Sequence, residues 1–148
     1  MSNSSSNVID LKKIKQSYGT DLKKEVEGQW FDLVMIEGCR VKVARAGNPN
    51  YIKLMRKLYK PFTKQLRRGK DIPQEVEEKI QLQLMSETIL LDWKGMPGEK
   101  GKEVPFTKEV AKMLLGDPEL KELKDEINSY SEEFEAYKTE EDEELVKN

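Results

Sequence analysis

The chain contains no histidine. That removes the side chain that most often acts as a general base near neutral pH, and with it the commonest neutral metal ligand. There is one cysteine, Cys39, so no disulfide can close within the chain, and its thiol has no imidazole to activate it as a nucleophile. No stretch approaches the roughly 18 uninterrupted apolar residues that a membrane span requires. The opening MSNSSSNVID has neither the basic region nor the apolar run of a secretory signal, and an intracellular protein is expected. Acidic pairs such as Glu77/Glu78 and Glu132/Glu133 do not replace the missing chemistry, because adjacent residues on a helix diverge instead of converging on one ion. No catalytic residue, metal site or cofactor site is assigned, and a non-enzymatic role is expected.

What is present is charge. Of 148 residues, 36% are hydrophobic and another 36% charged, with 26 basic against 28 acidic side chains. This length supports one domain with a compact core and a heavily solvated surface. The near-neutral balance leaves the distribution of charge, not its sum, as the informative quantity. The Ser/Asn-rich residues 1–11 are expected to be a disordered N-terminal segment, 12–137 a single globular domain, and 138–148 an acidic flexible tail.

The expected fold is α+β and mainly α, an N-terminal β-hairpin followed by about four helices in one compact domain. Between Gly28 and Ala46, two β-prone runs meet at Ile36-Glu37-Gly38, where Gly38 can supply a positive φ. In the second run Cys39, Val41 and Val43 alternate with Arg40 and Lys42, one face to be buried and one wet; in the first run either face can point inward. Asn48-Pro49 then reads as a helix start, cap followed by first-turn proline. Tyr51, Leu54, Met55, Leu58, Phe62 and Leu66 recur at helical spacing, with Pro61 set to kink the run. A second helix is predicted from Asp71-Ile72-Pro73-Gln74, capped by Asp71 and Gln74, running through Val76, Ile80, Leu84, Ile89 and Leu91 and ended by Trp93. The Gly/Pro-rich loop that follows is not a phosphate loop. Five residues separate Gly95 from Gly101, and Glu103 stands where Ser or Thr is needed. Thr107 should cap a short helix closed by Gly116, and Asp117-Pro118 should open the last one.

Two constellations suggest binding. Lys53, Arg56, Lys57, Lys60, Lys64 and Arg67 form a stripe, and no acid occurs from Tyr51 to Lys70. Such a stripe can follow phosphates, but no aromatics interleave the charges for stacking, so the readings are a plain solvated helix face or a surface for acidic protein, with nucleic acid the less favoured partner. The last helix carries Leu120, Leu123, Ile127, Tyr130, Phe134 and Tyr137 at three-four spacing. Its first half reads as core, and its aromatic end, Tyr130, Phe134 and Tyr137, reads as a partner or self contact.

Three segments in order, YGTDLKKEVEGQW, KVARAGNPNYIKLMRKLYKP and LLDWKGMPGEKGKEVPFTKEVAKMLLGDPEL, resemble the tail assembly chaperones of long-tailed bacteriophages. The similarity runs from about Asp10 to about Tyr137, and its most specific pieces are Ala44 to Pro49, Leu91 to Gly95, and Pro105-Phe106-Thr107. The resemblance implies a small, mainly helical, non-catalytic protein of the host bacterial cytoplasm. Such a protein binds the tape measure protein, helps recruit the major tail tube protein, and is absent from the mature virion. A longer frameshifted form is common among such chaperones. The alternatives are a nucleic-acid-binding phage regulator using the basic helix at 53–67, or a structural tail or head-tail component retained in the virion.

Overall fold

A computed structural model of the chain describes residues 8–139. The tetrapeptide Asp-Leu-Lys-Lys occurs at residues 10–13 and again at 21–24, and each copy opens a helix, α1 (Leu11–Tyr18) and α2 (Leu22–Glu27). The Asp10 carboxylate accepts from the Lys13 N–H at 3.1 Å, and that of Asp21 from the Lys23 N–H at 2.9 Å. Each thus satisfies a donor that the first helical turn leaves unpaired. The sequence reading placed no helix here, because Leu11, Ile14 and Tyr18 are too few to make a clear apolar period. The expectations for residues 1–7 and 140–148 lie outside the described residues. Of the flanking ones, Leu11 begins α1 and Lys138 pairs with Thr20 in an antiparallel bridge.

Strands β1 (Gln29–Asp32), β2 (Arg40–Val43) and β3 (Leu90–Lys94) form an antiparallel sheet in the order β1-β2-β3. The expected hairpin is present, with Phe31 opposite Val41. Its connection is longer than a tight turn: the chain leaves β1 after Asp32, and the Leu33 N–H donates to the Cys39 carbonyl at 2.9 Å. Cys39, Val41 and Val43 are buried as their alternation predicts. On the outer face the Trp30 ring lies beneath the Lys94 ammonium at 4.7 Å and the Arg40 guanidinium at 5.8 Å, so Phe31 is the inward residue of β1.

Asn48 caps α3 (Pro49–Tyr59) as expected, its side-chain oxygen accepting from the Tyr51 N–H at 3.0 Å. Pro61 lies in a single 3₁₀ turn, Lys60–Phe62, that separates α3 from α4 (Thr63–Arg67), because proline lacks the N–H and crowds the preceding turn. Helix α5 (Gln74–Leu84) starts without the capping box assigned to Asp71 and Gln74. The Gln74 amide donates forward to Glu78, and the Asp71 carbonyl accepts from Gln65.

The second predicted helix is also shorter than its sequence suggests. After Leu84 the chain widens into a π turn, Met85–Ile89, and Leu91 and Trp93 belong to β3. The Thr88 hydroxyl donates to the Leu84 carbonyl at 2.6 Å, competing with the helical ladder. The free edge of β2 then takes up the backbone groups of Leu90 onward, Val41 lying opposite Trp93. A short apolar run is compatible with either period, and here the unpaired strand edge decided the outcome.

The Gly/Pro loop is fastened by Trp93, whose indole N–H donates to the Val104 carbonyl at 2.7 Å and whose ring meets Phe106 edge-on at 4.8 Å. Gly95 has a φ of +75°, and a Cβ there would fall 2.3 Å from the Gly38 carbonyl oxygen, so the two loops meet only because residue 95 carries no side chain. Thr107 caps α6 (Lys108–Gly116). Gly116 is its last helical residue, not a left-handed cap; a Cβ there would press on Leu82 at 3.1 Å. Asp117 caps the 3₁₀ turn Pro118–Leu120, which leads into α7 (Lys121–Ser131). The core joins Val41 and Val43 to Met85, Ile89, Leu90, Trp93, Ala111, Leu115 and Ile127, each large side chain contributing about 1.5–3 kcal/mol by burial. The fold is α+β and mainly α.

Candidate protein-binding surface

The aromatic end of the seam does not continue α7. The helix stops at Ser131, and Phe134–Tyr137 forms a separate 3₁₀ turn that folds back toward the sheet. Tyr137 is wholly buried. Its hydroxyl donates to the Val43 carbonyl at 2.7 Å, and its own carbonyl accepts from the Asp21 N–H at 2.8 Å. Burial pushes its phenol well above the ordinary tyrosine range, with Glu25 acting in the same direction and Arg45 against it. Tyr130 stacks on Phe31 at 4.5 Å with the rings 6° apart, and its hydroxyl bonds to the Asp32 carbonyl and the Glu126 carboxylate, both at 2.8 Å. Burial and then Glu126 push its pKa up to about 12. The expectation that Tyr130 and Tyr137 face a partner is therefore corrected: both complete this domain's own core, because a turn after Ser131 brings them onto β1 and β2. Phe134 alone of the three is half-exposed without a role in the core cluster, with the Lys138 ammonium 5.2 Å from its ring.

The basic stripe stands as the sequence arranged it. Lys53, Arg56 and Lys57 on α3, Lys60 on the 3₁₀ turn, and Lys64 and Arg67 on α4 are all exposed. Among the described residues none of them forms an ion pair. The opposite side of α3 carries Tyr51 against the core and packs on α5, which fixes the cations outward.

Two hollows flank this face. One, about 650 Å³, lies between α2 and the start of α3, lined by Leu22, Glu25, Pro49, Ile52, Lys53 and Arg56. Leu22 is 72% exposed, and Glu25 is occupied by a bond from the Thr20 hydroxyl at 3.1 Å. The second, about 530 Å³, is bounded by Tyr59, Leu66, Asp71, Ile72, Gln74 and Glu77. There the Tyr59 hydroxyl donates to the Glu77 carboxylate and accepts from Gln81. The sequence reading missed the floor of the first hollow, since Leu22 lies on a helix it did not assign and Ile52 is not counted in the apolar period of α3. The first hollow, an aliphatic floor with Lys53 and Arg56 at its rim, suits an acidic, amphipathic protein segment, whereas the second carries the carboxylates of Asp71 and Glu77 and the ring of Tyr59 and no cation in its lining.

Cys39 is buried, and burial, with Glu103 adding to it, pushes its thiol up. Among the described residues no cluster of Cys, Asp and Glu is placed to hold a metal, and no helix is long and apolar enough to cross a membrane.

Residues 46–148 match the family model described as YdaY prophage protein. The chain belongs to that family. It is a phage-derived protein, and the match takes in α3 with its basic stripe, β3 and the helices that follow, whereas α1, α2, β1 and β2 precede it. No curated protein matches the chain, and no solved structure does.

Proposed function

We propose that this prophage protein is a tail assembly chaperone, a non-catalytic protein that binds the tape measure protein and helps recruit the major tail tube protein in the host cytoplasm. The observation that carries this reading is the exposed row Lys60, Lys64 and Arg67, which forms no ion pair among the described residues. A tape measure is long and helical, so before assembly its apolar stripes invite aggregation, and a surface combining cations with small apolar hollows can cover an acid-flanked stripe. Many copies binding weakly along one extended partner gain by avidity, so modest individual contacts suffice. The phage origin and the ordered sequence resemblance support the same reading.

Co-expression with the tape measure protein of the same prophage tests it. The chaperone should raise the soluble fraction of the tape measure and co-purify with it, and the charge reversal Lys60→Glu/Lys64→Glu/Arg67→Glu should abolish both effects. A tape measure whose solubility ignores the chain would overturn the reading. Mass spectrometry of purified particles should find the chain absent, since stoichiometric presence would make it a structural component. Sequence-independent DNA binding with a steep salt slope would instead make it a nucleic-acid-binding regulator.

A further inference from the structure

We propose that the hollow between α2 and α3 receives the acidic segment 132–135 of a second copy of this chain. The hollow has an aliphatic floor of Leu22, Pro49 and Ile52 and two cations, Lys53 and Arg56, at its rim. Neither cation has an acidic partner among the described residues.

The same molecule displays the complementary element. Glu132 and Glu133 are exposed beside the half-exposed ring of Phe134. Glu135 is already engaged by Lys138 at 3.6 Å, which leaves Glu132 and Glu133 as the free pair. Two carboxylates next to an aromatic ring thus face two cations next to an aliphatic hollow, a match of both charge and polarity.

The segment does not engage its own hollow: among the described residues Glu132 and Glu133 make no ion pair with Lys53 or Arg56. It is tied on both sides, by the Glu133 N–H to the Tyr130 carbonyl at 3.1 Å and by the Asp21 N–H to the Tyr137 carbonyl at 2.8 Å, and Tyr137 is locked in the core. The contact is therefore between copies. Donor and acceptor patches are different surfaces, so the interface is heterologous: it closes into a ring or continues as an open chain depending on the rotation between neighbours. The charges lie at the rim, which makes the association weak and salt-sensitive.

Sedimentation analysis of the full chain over a range of concentrations, at low and high salt, tests the contact without any phage partner. The wild type should self-associate at low salt and dissociate as salt rises. Lys53→Glu/Arg56→Glu and Glu132→Lys/Glu133→Lys should each weaken association about tenfold or more, and Phe134→Ala should weaken it with no loss of thermal stability. Mixing the two charge-reversed variants should restore association, because the mixture supplies one native pairing and one with the signs exchanged. That recovery also requires both variants to be folded. A wild type that stays monomeric at low salt, self-association indifferent to either reversal, or a mixture that fails to recover would each overturn the proposal. Loss of tape measure binding with self-association intact would count only against the chaperone reading.

Discussion

Replacing Asn48 by alanine tests how the strand-to-helix junction is held. Asn48 is 2% exposed. Its side-chain oxygen caps α3 through the Tyr51 N–H, and its amide donates to the Arg45 carbonyl at 2.8 Å and the Thr88 carbonyl at 3.2 Å. The lost cap costs about 0.5–2 kcal/mol. The bonds to carbonyls add about 0.5–1.5 kcal/mol each, though the Arg45 carbonyl keeps the Asn48 backbone N–H at 3.2 Å as a donor. The alanine variant should therefore lose roughly 2–4 kcal/mol, or about 4–16 °C in Tm for a domain of this size. Asn48→Ser divides the sum, since it keeps a capping oxygen and loses the amide donor without setting a carboxylate against the Arg45 and Thr88 carbonyls; it should fall between wild type and alanine. Urea unfolding monitored by circular dichroism, with the m-value unchanged, is the measurement. A loss below about 0.5 kcal/mol for alanine, less than the cap alone is worth, would refute this account. It would move Asn48, which lines the hollow at α2 and α3, from the scaffold to the binding surface.

Other expected outcomes follow from the core and its joints. Tyr137→Phe should cost about 1–3 kcal/mol, the penalty for leaving the buried Val43 carbonyl without its donor; an unchanged urea midpoint would show that water replaces the hydroxyl. Gly95→Ala should cost at least about 2 kcal/mol, because a left-handed φ and the close Gly38 carbonyl act together, whereas Gly38→Ala, which meets nothing within 4 Å, should cost less. Stability should fall as pH rises from about 10 towards 12. Tyr130 has its folded pKa raised to about 12, so in that window the unfolded chain releases a proton that the folded chain retains. Denaturant melts at pH 9, 10 and 11 should show the decline, and Tyr130→Phe should make it shallower; a flat profile would contradict the burial assigned to this phenol.

Local chemistry was legible wherever a single residue type dictates backbone geometry. Asn48-Pro49, Thr107 and Asp117-Pro118 open helices as read, because capping is decided within three residues. The alternation of Cys39, Val41 and Val43 gave the buried face of β2 for the same reason. What could not be read depended on partners distant in sequence. Leu90 to Trp93 became a strand because β2 offered an unpaired edge almost fifty residues earlier in the chain, and Tyr137 became core because a turn after Ser131 returns it to Val43. The helices α1 and α2 carried a usable signal, the repeated Asp-Leu-Lys-Lys, which hydrophobic periodicity alone does not detect.

The pieces most specific to the family resemblance turn out to be joints of the scaffold. Ala44 to Pro49 makes the turn that buries Asn48, and the Ala46 N–H within it donates to the Ser131 carbonyl at 2.8 Å. Leu91 to Gly95 is the third strand and the glycine that meets Gly38, while Phe106 and Thr107 brace Trp93 and start α6. Substitutions at these positions act first on folding, so loss of partner binding there would not locate a binding surface. The cations of α3 and α4 are different: they touch no core residue's polar group, make no ion pair among the described residues, and lie on a face whose backbone is fixed from the other side. Reversing their charge should leave the fold within about 0.5 kcal/mol of wild type. Any binding defect that results can then be assigned to the surface itself, and that separation between joints and face is what makes the partner experiments interpretable.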